Sequence, residues 1–159
     1  MSVLIEMVLA QTPELVAVAR QLFIEYADAI GVDLEYQGFS AELAALPSPY
    51  KPPHGALLIA QVDGDAAGCV ALRRLDDRTG EMKRLYVRPR FRRLGLAKRL
   101  VTAVILVARK AAFDELRLDT LPSMASAQEL YRTLEFTEIP PYNTRHLPGT
   151  RFYALRLTV

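Results

Sequence analysis

The sequence predicts a mixed α/β fold in which about seven strands form a largely antiparallel, twisted sheet flanked by about four helices. Three observations carry this. The chain has 159 residues, close to the ~150 of one domain, so residues 1–159 are expected to share one domain. Apolar residues recur at helical spacing in some segments and form short, β-branched runs in others. The central strand-like runs are joined by turn signals rather than by helices, which makes neighbouring strands antiparallel.

Val3 to Leu9 reads as a first strand. Thr12 followed by Pro13 forms a helix cap with proline at the first helical position, and the helix runs to about Ala29, with Leu15, Val18, Ala19, Leu22 and Phe23 on one face and Gly31 as its stop. Ser40 is expected to cap a short second helix through Ala45. Pro47, Pro49, Pro52 and Pro53 then make a loop, because so few amide donors can neither continue a helix nor join a sheet interior. Ala56 to Val62 and Ala66 to Leu75 are strands about an Asp63-Gly64-Asp65 turn, and Asp76 to Gly80 turns the chain into a strand over Glu81 to Val87. Leu96 to Ala111 is helical, with Ala97, Leu100, Val101, Val104, Ala108 and Ala111 on its core stripe. Leu116 to Thr120 is a strand and Ala125 to Leu134 a helix with Ala127, Leu130 and Leu134 inward. Phe136 to Ile139 and Phe152 to Leu157 complete the sheet.

Composition narrows the function classes. Hydrophobic residues make up 51% and charged residues 24%, which argues against disorder and coiled coil. The longest apolar stretch, Leu100 to Ala108, is well short of the ~20 residues of a bilayer span, and the first residues lack the pattern of a secretory signal, so a cytoplasmic protein without a membrane partner is expected. One cysteine, Cys69, and two histidines, His54 and His146, leave little from which to build a metal site, and none is expected. Cys69, with no histidine near it in sequence, reads as a small buried residue rather than a nucleophile. Net charge is only +2, but its distribution is uneven. Lys83, Arg84, Arg88, Arg90, Arg92, Arg93, Lys98 and Arg99 cluster, while Glu25, Asp28, Asp33 and Glu35 gather elsewhere. The acidic group is expected to attract a cationic acceptor. Nucleic acid is not expected, because the basic stretch surrounds a helix start and has only Tyr86 and Phe91 as aromatic platforms.

Chemistry concentrates where the strand Leu85-Tyr86-Val87 passes through a basic turn into Leu94-Gly95-Leu96-Ala97-Lys98. Amides at a helix start lack intrahelical partners and sit at the positive end of the helix dipole, so they bind phosphate well. Gly95 has no β-carbon to obstruct a ligand, Ala97 is small, and the arginines add charge-assisted hydrogen bonds. The same residues also make an ordinary helix cap with a solvated basic rim. A P-loop would need Gly-Lys-Ser/Thr and a dinucleotide fingerprint three spaced glycines. Neither is present.

With the element order, Arg92-Arg93-Leu94-Gly95-Leu96-Ala97 resembles the Gln/Arg-x-x-Gly-x-Gly/Ala hallmark of the GNAT superfamily of acetyl-CoA-dependent N-acetyltransferases. Lys83-Arg84-Leu85-Tyr86-Val87-Arg88-Pro89 is similar to that family's fourth strand and its exit, and Ala127-Gln128-Glu129-Leu130-Tyr131 with Phe136 to its late helix. The resemblance spans nearly the whole chain and implies a GNAT-like fold. It implies acetyl-CoA as cosubstrate, held through Leu85, Tyr86, Val87, Arg92, Arg93, Leu94, Gly95, Leu96, Ala97, Lys98 and Ser126. The acceptor would be a primary amine of a small molecule or peptide, attacking directly, and the protein a monomer or homodimer. Three positions depart from the family pattern. Arg93 and Glu135 stand where glycine is common, and Met124 where many relatives have asparagine, leaving Ser123 and Ser126 to supply hydroxyls.

Two residues carry the expected catalysis. Glu81 is a candidate general base, directly or through water, since a protonated amine is not nucleophilic; its bland alternative is an exposed strand-edge charge. Tyr131 is a candidate acid for the departing CoA thiolate, its side chain expected at the cleft edge; its alternative is a core tyrosine. A protein that binds acyl-CoA as a sensor without turnover is the rival to an enzyme.

Overall fold

The computed structural model describes residues 2–158, in which seven strands form one sheet ordered β1-β2-β3-β4-β5-β7-β6. The strands are β1 (Ile5–Leu9), β2 (Ala56–Val62), β3 (Asp65–Asp76), β4 (Thr79–Val87), β5 (Glu115–Thr120), β6 (Thr137–Ile139) and β7 (Arg151–Arg156). The helices are α1 (Pro13–Ile30), α2 (Phe39–Ala45), α3 (Leu96–Lys110) and α4 (Ala125–Thr133), with short 3₁₀ turns over Leu34–Gln37 and Pro89–Phe91. Every neighbouring pair is antiparallel except β4 and β5.

The sheet is covered on both faces, which explains why β2 is apolar from Ala56 to Ala60 rather than alternating. Leu58 and Ala60 of β2 pack with Leu100 and Val104 of α3. Leu57 and Ile59 pack the other way, against Leu22 and Phe23 of α1. Thr12 caps α1 by accepting the Leu15 amide, and Gly31 ends it in the left-handed region. Asp63 and Gly64, both at positive φ, make the β2–β3 hairpin turn that Asp-Gly favours.

Local corrections have identifiable causes. Ser40 lies inside α2 rather than capping it; Gly38 is the cap residue, and the Glu35 carboxylate accepts the Ser40 amide at 2.7 Å, doing the work assigned to the serine. The strand expected from Glu81 starts at Thr79, which pairs with Asp76 across a tight turn. Val3 and Leu4 lie before β1 and are exposed. Leu96 and Ile105 join the buried stripe of α3, whereas Ala97 and Ala111 are half-buried. On α4 the fully buried residues are Gln128 and Tyr131, while Ala127, Leu130 and Leu134, expected inward, are half-buried and pack against the core. Ala127 and Leu130 also border a cleft on that side.

Candidate active site

The site begins with a topological defect. β4 and β5 pair only over Thr79–Glu81 and Glu115–Arg117, so beyond Glu81 the β4 edge has no strand partner on that side and its backbone groups are open to a ligand. A bulge reinforces the opening. Between its pairings with Ala71 and Cys69, β4 advances from Lys83 to Tyr86, one residue more than β3, and Arg84 takes a φ of 63°. Arg84 is buried and pins the bulge, donating to Glu42 through Nε at 3.0 Å and a guanidinium nitrogen at 2.7 Å. The Tyr50 hydroxyl donates to the same carboxylate at 2.9 Å.

An open cleft runs from the bulge to the start of α3. Leu85, Tyr86, Val87, Arg92, Arg93, Gly95, Leu96, Ala97, Lys98 and Ser126 all line it, together with Ser123, Met124, Ala127 and Leu130 from the α4 side. Leu94 does not; it is 40% exposed outside the cleft. Tyr26, Ala29 and Ile30 of α1 form the remaining wall, and their only sequence signal was the apolar stripe of that helix. Gly95 caps α3 at φ 73°, and a β-carbon added there would meet nothing within 4 Å. The space above the helix start is therefore open. Arg93 also has positive φ, 69°, which accounts for glycine being the easier residue at this position. Arg88 is committed elsewhere, to Glu25 at 2.8 and 2.9 Å.

A second, narrower cavity adjoins this cleft, and the two share Tyr26, Leu85 and Met124. Lys83, Asp119, Thr120, Gln37 and Tyr131 also line it. Strand register explains the assembly. Arg73 opposes Glu81 and Glu81 opposes Arg117, and with side chains alternating along each strand, Lys83 and Asp119 emerge on that same face. Asp119 is the residue that sequence reasoning passed over. Its signal was present, in charges at Arg117 and Asp119 alternating with buried leucines along an interior strand.

Glu81 is not an exposed strand-edge charge. It is 2% exposed, accepting Arg73 Nε at 2.6 Å and the Tyr142 hydroxyl at 2.6 Å on its two oxygens. Burial pushes its carboxyl up, but the Lys83 and Arg73 charges and the hydrogen bonds from Tyr142 and Arg73 outweigh this and hold it below its ordinary value. Asp119 goes the other way: burial and the Glu81 charge raise it, against the opposing charges of Lys83 and Arg84. Burial lowers Lys83, with the Glu81 charge opposing. The Tyr131 ring sits in the core, 5.7 Å from Phe136 and 6.1 Å from Tyr153 between centroids, while the residue also lines the cavity. Burial raises its phenol, which stays protonated at neutral pH. Core residue and cavity residue are here the same residue.

Three of the four acids near α1, all but Asp28, are engaged in structure. Glu25 holds Arg88, Asp33 caps the 3₁₀ turn through the Glu35 amide at 3.0 Å, and Glu35 holds Ser40. Cys69 is buried, its thiol raised by burial and donating to the Arg84 carbonyl at 3.4 Å. Among the described residues no group of metal-ligating side chains comes together, and no helix is long and apolar enough to cross a membrane.

A sheet opened beside its single parallel pair carries a basic glycine turn at one end of the opening and acid and base groups at the other, an arrangement open to a long anionic ligand and a second reactant. Comparison with known proteins narrows the class. The model of the acetyltransferase (GNAT) family matches residues 19–136. An uncharacterized N-acetyltransferase of Schizosaccharomyces pombe is 36% identical over 141 residues, covering 87% of this chain and 86% of the relative. Among solved structures, a GNAT acetyltransferase of Staphylococcus aureus superposes with a TM-score of 0.79 at 23% identity, covering 98% of this chain and 100% of the other. A GNAT acetyltransferase of Elizabethkingia anophelis with acetyl-CoA bound gives 0.66 at 20% identity, covering 97% of each. The chain belongs to the GNAT acetyltransferase family.

Proposed function

We propose that the protein transfers the acetyl group of acetyl-CoA to a primary amine of a small molecule or peptide by direct attack when both are bound. The observation that carries this reading is the junction of the two cavities at Leu85, Tyr26 and Met124, beside the unpaired edge of β4. Acetyl-CoA lies along the open cleft, its pyrophosphate on the amides at the start of α3 and the side chains of Arg92, Arg93 and Lys98. Its pantetheine arm pairs with the β4 edge through Leu85 and Val87, and Ser126 borders it.

The acceptor enters the narrower cavity. The amine gives up a proton, its nitrogen forms a bond to the acetyl carbon, and the carbon–sulfur bond breaks to release CoA. Bringing both reactants together supplies much of the rate, and an amide of β4 polarises the thioester carbonyl. Asp119, raised and facing the cavity, suits the proton acceptor better than Glu81, whose two oxygens are held and whose basicity is low. Glu81 acts as a positioning residue for Arg73 and Tyr142. Tyr131 donates to the leaving sulfur; a thiolate near pKa ~8.5 is a weaker base than a buried phenolate, so a hydrogen bond suffices.

A turnover screen with acetyl-CoA, thiol detection and mass spectrometry over amino acids, polyamines, aminoglycosides and peptides tests the reading. Thiol release matched by an N-acetylated product supports it. Tight acetyl-CoA binding without thiol release across the panel supports the sensor instead.

A further inference from the structure

On the reading just proposed, we infer that the acceptor is an amino acid, its carboxylate held by Lys83 and its amine directed at Asp119. Among the cations that surround the narrower cavity, Lys83 has no carboxylate at ion-pair distance. Arg73 is paired with Glu81, Arg84 with Glu42, and Arg117 with Glu115. Lys83 stands among them, yet its Nζ donates only to the neutral Gln37 side-chain oxygen, at 3.3 Å, and it forms no ion pair among the described residues.

Lys83 is half-buried, and a lysine partly withdrawn from water is best matched by an anion. Asp119 is the carboxylate that lines the cavity with it, and the two residues feel each other's charge without closing into an ion pair. A cation and an anion that line one cavity and stay apart are matched by a molecule that carries the opposite pair on neighbouring atoms. An α-amino acid is such a molecule. In the reaction the ammonium loses a proton towards Asp119, the freed amine takes the acetyl group from sulfur, and the thiolate leaves with a proton as CoA. The carboxylate remains on Lys83 throughout, so its contribution is to binding and alignment.

The test compares each L-amino acid with its primary amide and its decarboxylated amine, in steady-state kinetics on the full protein with acetyl-CoA. For the preferred side chain, kcat/KM is expected to favour the free acid by about 10- to 100-fold, the worth of one charge-assisted hydrogen bond. Lys83→Met should shrink that preference below about threefold, and Lys83→Arg should keep most of it, with melting and acetyl-CoA titration checking the fold of both. Amides or simple amines used as well as the acids by the native protein would overturn the inference while leaving amine acetylation intact. So would a preference that survives Lys83→Met. Absence of any N-acetylated product despite acetyl-CoA binding would instead remove the reading on which it rests.

Discussion

Replacing Glu81 with glutamine separates the two roles open to its carboxylate. Glutamine keeps one oxygen acceptor and the shape of the side chain, but it loses the charge and one of the two acceptor positions now used by Arg73 and Tyr142, each at 2.6 Å. A hydrogen bond to a charged group is worth about 1.5–3 kcal/mol. The Arg73 side chain is 36% exposed, so water compensates part of its loss and the net cost falls to about 1–2 kcal/mol. At about 2–4 °C per kcal/mol for a domain of this size, Tm should fall by about 2–8 °C at neutral pH. The sign of the pH dependence follows from a carboxyl held below its ordinary value. Its stabilisation is present above the unfolded value near ~4.3 and is lost as pH drops through the native one, so the two proteins should converge in acid. For turnover, Glu81 contributes to raising Asp119; without it, the acid limb of kcat/KM should move to lower pH while the plateau falls less than about tenfold. A direct general base would lose about 10²–10⁴-fold on the plateau. Melting curves at several pH values and one pH–rate profile decide the matter, and a variant with native Tm at pH 7 but a hundredfold loss in turnover would make Glu81 the base.

Three further outcomes follow from the geometry. Gly95→Glu should fold, since nothing lies within 4 Å of the new β-carbon and the positive φ costs about 1 kcal/mol, yet its carboxylate faces the phosphate position; calorimetry should show acetyl-CoA affinity reduced at least about a hundredfold, and native affinity would misplace the pyrophosphate. Tyr131→Phe keeps the ring against Phe136 and Tyr153, so Tm and acetyl-CoA affinity should hold while kcat falls between about tenfold and several-thousandfold; native turnover in a stable variant would exclude Tyr131. Glu135→Gly, at an exposed position with φ 72°, should raise Tm by about 2–4 °C, the equivalent of about 1 kcal/mol, and a lower Tm would show the left-handed conformation to be held by something other than the backbone.

Much of the fold was legible because its signals are local. Thr12-Pro13, Asp63-Gly64 and the stripe of α3 each act within a few residues, and the structure uses them where the sequence places them. Long-range partners were not legible. Glu25 looked available until Arg88, 63 residues away, closed on it, and Glu81 looked exposed until Tyr142, 61 residues away, folded over it. The burial of α4 was legible only in part. Ala127 and Leu130 pack against the core and also line the open cleft, so their apolar stripe serves both, whereas Tyr131 takes a fully buried position. Asp119 was hidden because a charge on a strand looks solvated until the sheet is known to be covered on both faces.

A single-turnover experiment tests the central claim most directly. Protein preloaded with acetyl-CoA is mixed with excess acceptor from the screen, quenched over time, and analysed by mass spectrometry for acetyl-CoA, CoA, N-acetylated product and acetylated protein. Direct transfer predicts that CoA and N-acetylated product appear together, one of each per bound acetyl-CoA, with no acetyl group on the protein at any time. Acetyl-CoA that remains intact through every quench, or an acetyl group that first accumulates on the protein, would contradict the account.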